Sequence, residues 1–213
     1  KLKIRGLNRH QAYPYVGYAM PASAQRADAD LLKFELGCNL ARTSHYPDST
    51  HFLDRCDEIG LLVFTEMPSW QFTGEGEWRE NCLKNVADMV KRDRNHPCVI
   101  LWGVRVNEGP DCDELYEKTN AIAHSLDDTR QTGGVRNFPQ SHLLEDVYTY
   151  NDFIHSGGKI ALNLPLLVAG PNAPYLVTEH NGHMYPTKSF DREEIRVEHA
   201  LRHARVLNAA YGS

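Results

Sequence analysis

Val99-Ile100-Leu101-Trp102-Gly103-Val104-Arg105-Val106-Asn107-Glu108 is a nearly unbroken apolar run that ends in an amide and a carboxylic acid, just before Gly109-Pro110. It lacks the alternation of a strand with one wet face and suits a strand buried on both sides, as in parallel sheets. Upstream, Trp78, Cys82, Val86 and Met89 recur at helical spacing, and Asn95-His96-Pro97 stops that helix before the strand. One unit earlier the grammar repeats. Asp48 and Ser49 offer N-cap oxygens, Phe52, Leu53, Cys56 and Ile59 form a helical face, Gly60 supplies a left-handed stop, and Leu61 to Phe64 starts another buried strand.

Carried along the chain, this alternation places strands near 3–8, 39–44, 61–66, 99–106, 132–136, 145–150 and 174–179, with helices between most of them. The final stretch from Asp191 reads as a helix with Ile195, Leu201 and Val206 turned inward, and 151–173 as a long loop. Seven strands alternating with helices point to a (β/α)8 TIM barrel that stops before its eighth strand, since a full barrel takes about 250 residues. The 213 residues therefore read as one domain, 1–213, from a larger enzyme.

Composition narrows the function classes. With 41% hydrophobic residues the chain can bury a sizeable core. A net charge of -5, with Lys and Arg scattered, gives no basic surface for nucleic acid or an anionic membrane. The odd set Cys38, Cys56, Cys82, Cys98 and Cys112 lies in apolar or amphipathic stretches and reads as reduced, buried thiols. No apolar run approaches the roughly 18 residues of a membrane span, and Lys1-Leu2-Lys3 is not followed by a signal-like segment, so a cytoplasmic location is expected.

Strand C-termini line the active site of such barrels, and two strands here end in an acid: Glu108, and Glu179 in Tyr175-Leu176-Val177-Thr178-Glu179-His180. A lone strand-end glutamate more often caps a helix or meets a surface lysine. Two, three strands apart, can face each other across the mouth. Paired carboxylates are what glycosidic cleavage needs, one giving a proton to the leaving oxygen while the other, ionised, attacks the anomeric carbon. A non-catalytic carbohydrate-binding barrel is the rival reading, and retention of both acids argues against it. The eleven histidines raise a metallohydrolase alternative. There is no His-x-His at the first strand and no His-Glu-x-x-His, and His199 and His203 lie on an outer helix, so no metal is expected.

Six strings give these positions a family context: Gly6-Leu7-Asn8-Arg9-His10, Arg42-Thr43-Ser44-His45-Tyr46-Pro47, Cys56-Asp57-Glu58-Ile59-Gly60-Leu61, Arg92-Asp93-Arg94-Asn95-His96-Pro97, Trp102 with Asn107-Glu108, and Thr178-Glu179-His180. In order and spacing they resemble the barrel of glycoside hydrolase family 2, whose members are retaining, exo-acting β-galactosidases, β-glucuronidases and β-mannosidases. The resemblance implies Glu108 as general acid/base and Glu179 as nucleophile, acting on terminal β-galactosides by double displacement, with the glucuronide and mannoside activities as alternatives. It implies that Asn107 binds the sugar 2-hydroxyl, that Arg42 keeps the nucleophile ionised, that His10 and His45 are neutral donors, and that Asn181 and His183 contact sugar. It also implies flanking β-sandwich domains in the parent chain, and it leaves a homo-oligomer open.

Three departures stand out. Val104-Arg105-Val106 replaces a small Leu-Gly turn beside the acid. Phe153 stands where the family places a tyrosine that hydrogen-bonds the nucleophile, so either Tyr148 or Tyr150 substitutes or the nucleophile lacks that partner. Trp70 takes the place of a magnesium-binding carboxylate; no magnesium and no other cofactor is expected, and the indole could instead face a sugar.

Overall fold

The computed structural model describes residues 2–153, 161–181 and 188–211. Seven strands, β1 (Gly6–Arg9), β2 (Leu40–Thr43), β3 (Leu62–Glu66), β4 (Val99–Gly103), β5 (Gln131–Arg136), β6 (Val147–Asp152) and β7 (Tyr175–His180), form one sheet in sequential order. Every neighbouring pair is parallel. The helices are α1 (Ala22–Asp30), continued by a π-helical turn over Leu31–Glu35, then α2 (Thr50–Ile59), α3 (Glu77–Asp93), α4 (Asp113–Leu126), α5 (Pro165–Ala169) and α6 (Glu193–Tyr211). This is the (β/α)8 barrel pattern carried through seven strands, as expected.

The local signals act as read. The Ser49 hydroxyl caps α2 by accepting from the His51 N–H, and Gly60 ends the helix at φ 68°, where a side chain would be strained. Phe52, Leu53 and Cys56 are buried on one side of α2, and Cys82, Val86 and Met89 on one side of α3, with Trp78 packed against the same core. The strands divide their side chains by alternation. Ala41, Val63, Val99 and Trp102 join the layer between sheet and helices, whereas Phe64, Leu101 and Val135 cluster separately, with Leu176 against them. On that second set of positions the C-terminal residues turn polar: Arg42 follows Leu40, and Glu66 follows Phe64. The barrel is thus closed by apolar side chains below and lined by charge above.

Three expectations need correction. β6 runs two residues beyond 150, which brings Asn151 and Asp152 into the ladder opposite Glu179 and His180. The stretch 151–173 is not wholly irregular: α5 forms where Pro165 presets the first helical turn, and Val168 anchors it in the core. Of Ile195, Leu201 and Val206 on α6 only Val206 is buried, and Leu201 is 42% exposed. β7 is half-buried along its length and among the described residues pairs on one side only, so α6 finds little core to cover. The five cysteines are free; four are buried and Cys112 is half-buried.

Candidate active site

Arg42 organises the mouth. It stands two residues into β2, is 2% exposed, and reaches side chains from β3, β6 and β7 and from the segment after β4. Its guanidinium forks onto Glu66, meets Glu179 Oε2 at 2.9 Å and donates to Asn107 Oδ1 at 2.7 Å. Burial alone would push Glu66 up, but the Arg42 charge, with help from His45, holds its carboxyl below the ordinary range. Burial likewise disfavours the Arg42 cation, and the charges of Glu66 and Glu179 more than restore it. A buried arginine shared by two carboxylates leaves one negative charge over at the mouth.

The acid pair meets on an amide. Asn151 Nδ2 donates to Glu108 Oε1 at 3.0 Å and to Glu179 Oε2 at 3.2 Å, and Thr178 donates to Asn151 Oδ1 at 3.3 Å. Asn151 is 1% exposed, so one rigid side chain sets the spacing between the acids. Glu108 sits past the end of β4 with φ 55°, a conformation that non-glycine residues adopt at a cost when surrounding contacts enforce it. Here the enforcing bond is from the Glu108 N–H to the Val135 carbonyl, 2.9 Å away on β5. The positive φ turns the side chain from the path of the strand into the mouth.

The other expected residues fall out as follows. Asn107 is buried, its oxygen taken by Arg42, and its Nδ2 has no partner among the described residues, leaving a donor for a hydroxyl. His10 and His45 pack edge to face at 5.6 Å on the wall. Burial, then His45, pushes the His10 ring below its ordinary value, so it is neutral near pH 7. His45 Nδ1 lies 3.0 Å from Arg42. Asn181, just past β7 with φ 56°, also keeps a buried Nδ2 with no partner among the described residues, but it is not among the cavity-lining residues. His183 lies outside the described residues.

Tyr150 does not join the site. It is 4% exposed and packs with Tyr148, Tyr175 and Val168 on the helix side of β6, and the Tyr148 hydroxyl serves the Ser141 N–H. Strand alternation explains this: with Asn151 inward, both neighbouring even-numbered positions face out. Asn151 supplies through its amide N–H the donor that a tyrosine hydroxyl was expected to give. Arg105 also turns away from Glu108, packing on the Tyr116 ring and bonding Asp111 and Ser141.

Reasoning from sequence missed three contributors. Glu66 ends its strand in a carboxylate just as Glu108 and Glu179 do, and that signal was present. Asn151 was hidden by the two-residue error in β6. Gln71, whose Nε2 donates to Glu108 Oε2 at 3.1 Å, has no signature at all.

A cavity of about 760 Å³ opens between these groups, bounded by His10, His45, Trp70, Asn107, Glu108 and Glu179 among others. Its volume suits one or two sugar rings. Among the described residues, Asp57, His96 and Cys98 also bring three potential metal ligands together, at the opposite end of β4. There Asp57 is satisfied by the His96 ring at 2.6 Å and the Cys98 N–H at 2.8 Å, and burial pushes the Cys98 thiol up, away from the thiolate a metal needs.

The fold and the mouth together define a parallel (β/α) barrel with a carboxylate pair at the C-terminal ends of its strands. The chain belongs to the glycosyl hydrolases of family 2, whose TIM barrel domain model matches residues 1–199. It is 60% identical over 213 residues to a β-galactosidase of Thermoanaerobacterium thermosulfurigenes, covering 99% of this chain and 30% of that protein. A β-galactosidase of Thermoanaerobacter pseudethanolicus is 55% identical over 99% of the chain and 28% of its own length. Among solved structures, a family 2 β-galacturonidase from Eisenbergiella tayi bound to glycerol superposes with a TM-score of 0.80 at 27% identity, covering all of this chain and 42% of that one. The chain thus spans about 30% of the length of the curated relatives it matches. No described helix is long and apolar enough to cross a membrane.

Proposed function

We propose that the parent enzyme is a retaining, exo-acting β-glycosidase that removes terminal β-galactosyl groups, with Glu179 as nucleophile and Glu108 as general acid/base. The observation that carries this is the single Asn151 amide bonded to both carboxylates. Two oxygens that share one hydrogen-bond donor are close neighbours, which fits the ~5–5.5 Å separation of a retaining pair better than the ~6.5–9.5 Å that admits a water in inverting enzymes. Arg42 supports the assignment of roles, since it pairs with Glu179 and not with Glu108.

In the first step Glu108 gives its proton to the glycosidic oxygen, the C–O bond breaks with its electrons on that oxygen, and Glu179 bonds to the anomeric carbon. In the second, water gives a proton to Glu108 and displaces Glu179. Asn107 Nδ2 is placed to hold a sugar hydroxyl in both steps, and the neutral His10 can bind others. A β-galactoside is favoured as substrate because two relatives that match 99% of this chain are β-galactosidases.

Glu179→Gln in the full-length enzyme should abolish hydrolysis of aryl β-galactosides. Glu108→Ala should retain activity toward leaving groups that need no proton and gain rate with azide. Near-native turnover by Glu179→Gln would remove the nucleophile from Glu179.

A further inference from the structure

The two oxygens of Glu108 face different surroundings. Oε1 is turned inward, toward Asn151 and Glu179. Oε2 is turned to the rim, where the exposed Gln71 donates to it at 3.1 Å. Gln71 does not hang on a loose loop. The Met67 N–H bonds the Gly103 carbonyl at 2.9 Å, Trp70 forms a parallel bridge with Asn107, and the Gln71 N–H bonds the Asn107 carbonyl at 2.8 Å. The chain after β3 is therefore stitched to the chain after β4, and the acid and its rim partner move as one body.

On this stitched segment Trp70 lines the cavity while 59% exposed. Leaving that much indole in water forgoes apolar burial that a ligand face would recover. In a retaining cleavage the sugar that stays lies between the two carboxylates, and the group that departs lies beyond the acid. Beyond Glu108, at the rim, are Gln71 and Trp70.

The geometry points to Trp70 and Gln71 as the leaving-group subsite, with Trp70 stacking on the C–H face of a second sugar or on an aryl aglycone and Gln71 acting as a positioning residue for Glu108. A glutamine amide suits an acid that alternates between two states. Its Nε2 donates to the carboxylate, and after rotation its Oε1 accepts from the protonated acid, so Glu108 keeps one orientation while giving up and regaining its proton. Asn151 cannot do this, because its oxygen is engaged by Thr178 and its nitrogen also serves Glu179. The subsite rests on the glycosidase reading above.

The test compares two substrates of the same terminal sugar in the full-length enzyme: a β-linked disaccharide, which fills the subsite and needs the acid, and the β-glycosyl fluoride, which does neither. The ratio of their kcat/KM values is the readout. Trp70→Ala should lower that ratio about tenfold, with Trp70→Phe recovering most of it, and Gln71→Met should lower it by a similar factor. A ratio within about twofold of the wild type in Trp70→Ala overturns the stacking role, and the same result in Gln71→Met overturns the positioning role. A loss shared equally by both substrates is a structural effect and counts against both. Glu179→Gln, run alongside, must lose the fluoride as well; if it does not, the glycosidase assignment has failed and not the subsite.

Discussion

At the scale of single residues, the site is a charge balance built around Arg42. Two carboxylates share one buried guanidinium, so removing the cation leaves Glu66 uncompensated in a dry setting. Arg42→Met should destabilise the protein by about 3–5 kcal/mol, seen as a lowered denaturation midpoint, and should cost more activity than stability alone explains. Gly103 shows the same constraint from the other side. A Cβ there would stand 2.5 Å from Glu66 Cγ, so Gly103→Ala should displace Glu66, loosen Arg42 and reduce kcat with little change in overall fold content. Much of this was legible in the chain. Glu108, Glu179, Arg42, Asn107, His10 and His45 were each marked by a strand end or a family string, and each lies at the mouth. Tyr150 and Asn151 exchanged roles because a strand boundary misplaced by two residues changes which side chains belong to the ladder and not which way they alternate. Gln71 was invisible because its position depends on a backbone bridge to Asn107, a contact between distant segments that no local pattern encodes.

At the scale of elements, the helices obeyed local rules where a core lay beneath them and departed where it did not. α2 and α3 buried their periodic faces as read, whereas α6 has periodicity without a floor. The junction between α4 and β5 offers a test of local electrostatics. The side chain of Asp127 accepts from the Thr129 hydroxyl at 2.5 Å, from Arg130 at 2.5 Å, from the Thr129 N–H at 3.0 Å and from the Trp102 indole at 3.0 Å. Burial pushes this carboxyl up, yet those donors hold it down to about 2 from an ordinary 3.8. Because the folded value is the lower one, the stabilisation is present above about pH 4 and is lost as the pH falls toward 2. Asp127→Asn should therefore cost about 1–2 kcal/mol at pH 7, after allowance for nearby solvent, and the gap between mutant and wild type should close in acid melts.

At the scale of the whole molecule, β1 pairs only with β2 and β7 only with β6 among the described residues. Leu7 on β1 is 43% exposed, and Val197, Leu201 and Leu207 on α6, the helix that follows β7, are exposed as well. Unpaired strand edges with apolar flanks invite association. The 213-residue chain by itself should show a melting temperature that depends on concentration and sedimentation beyond a monomer. A sharp, concentration-independent transition with full turnover would contradict this. That the sheet had seven strands was readable from alternating apolar runs. Its curvature was not, because curvature comes from side chains meeting across the lumen, as Arg42 and Glu179 do.

That last contact makes the Arg42–Glu179 pair a gauge of the barrel's circumference. Arg42 and Glu179 sit on strands separated by four others in the sheet, and 2.9 Å between them survives only while the ring keeps its bend. Warming that lets the sheet flatten slightly would part them while every helix still holds its own hydrogen bonds. Turnover should accordingly fade at lower temperature than far-ultraviolet dichroism, so enzyme assays would register a relaxing ring that spectroscopy still counts as folded.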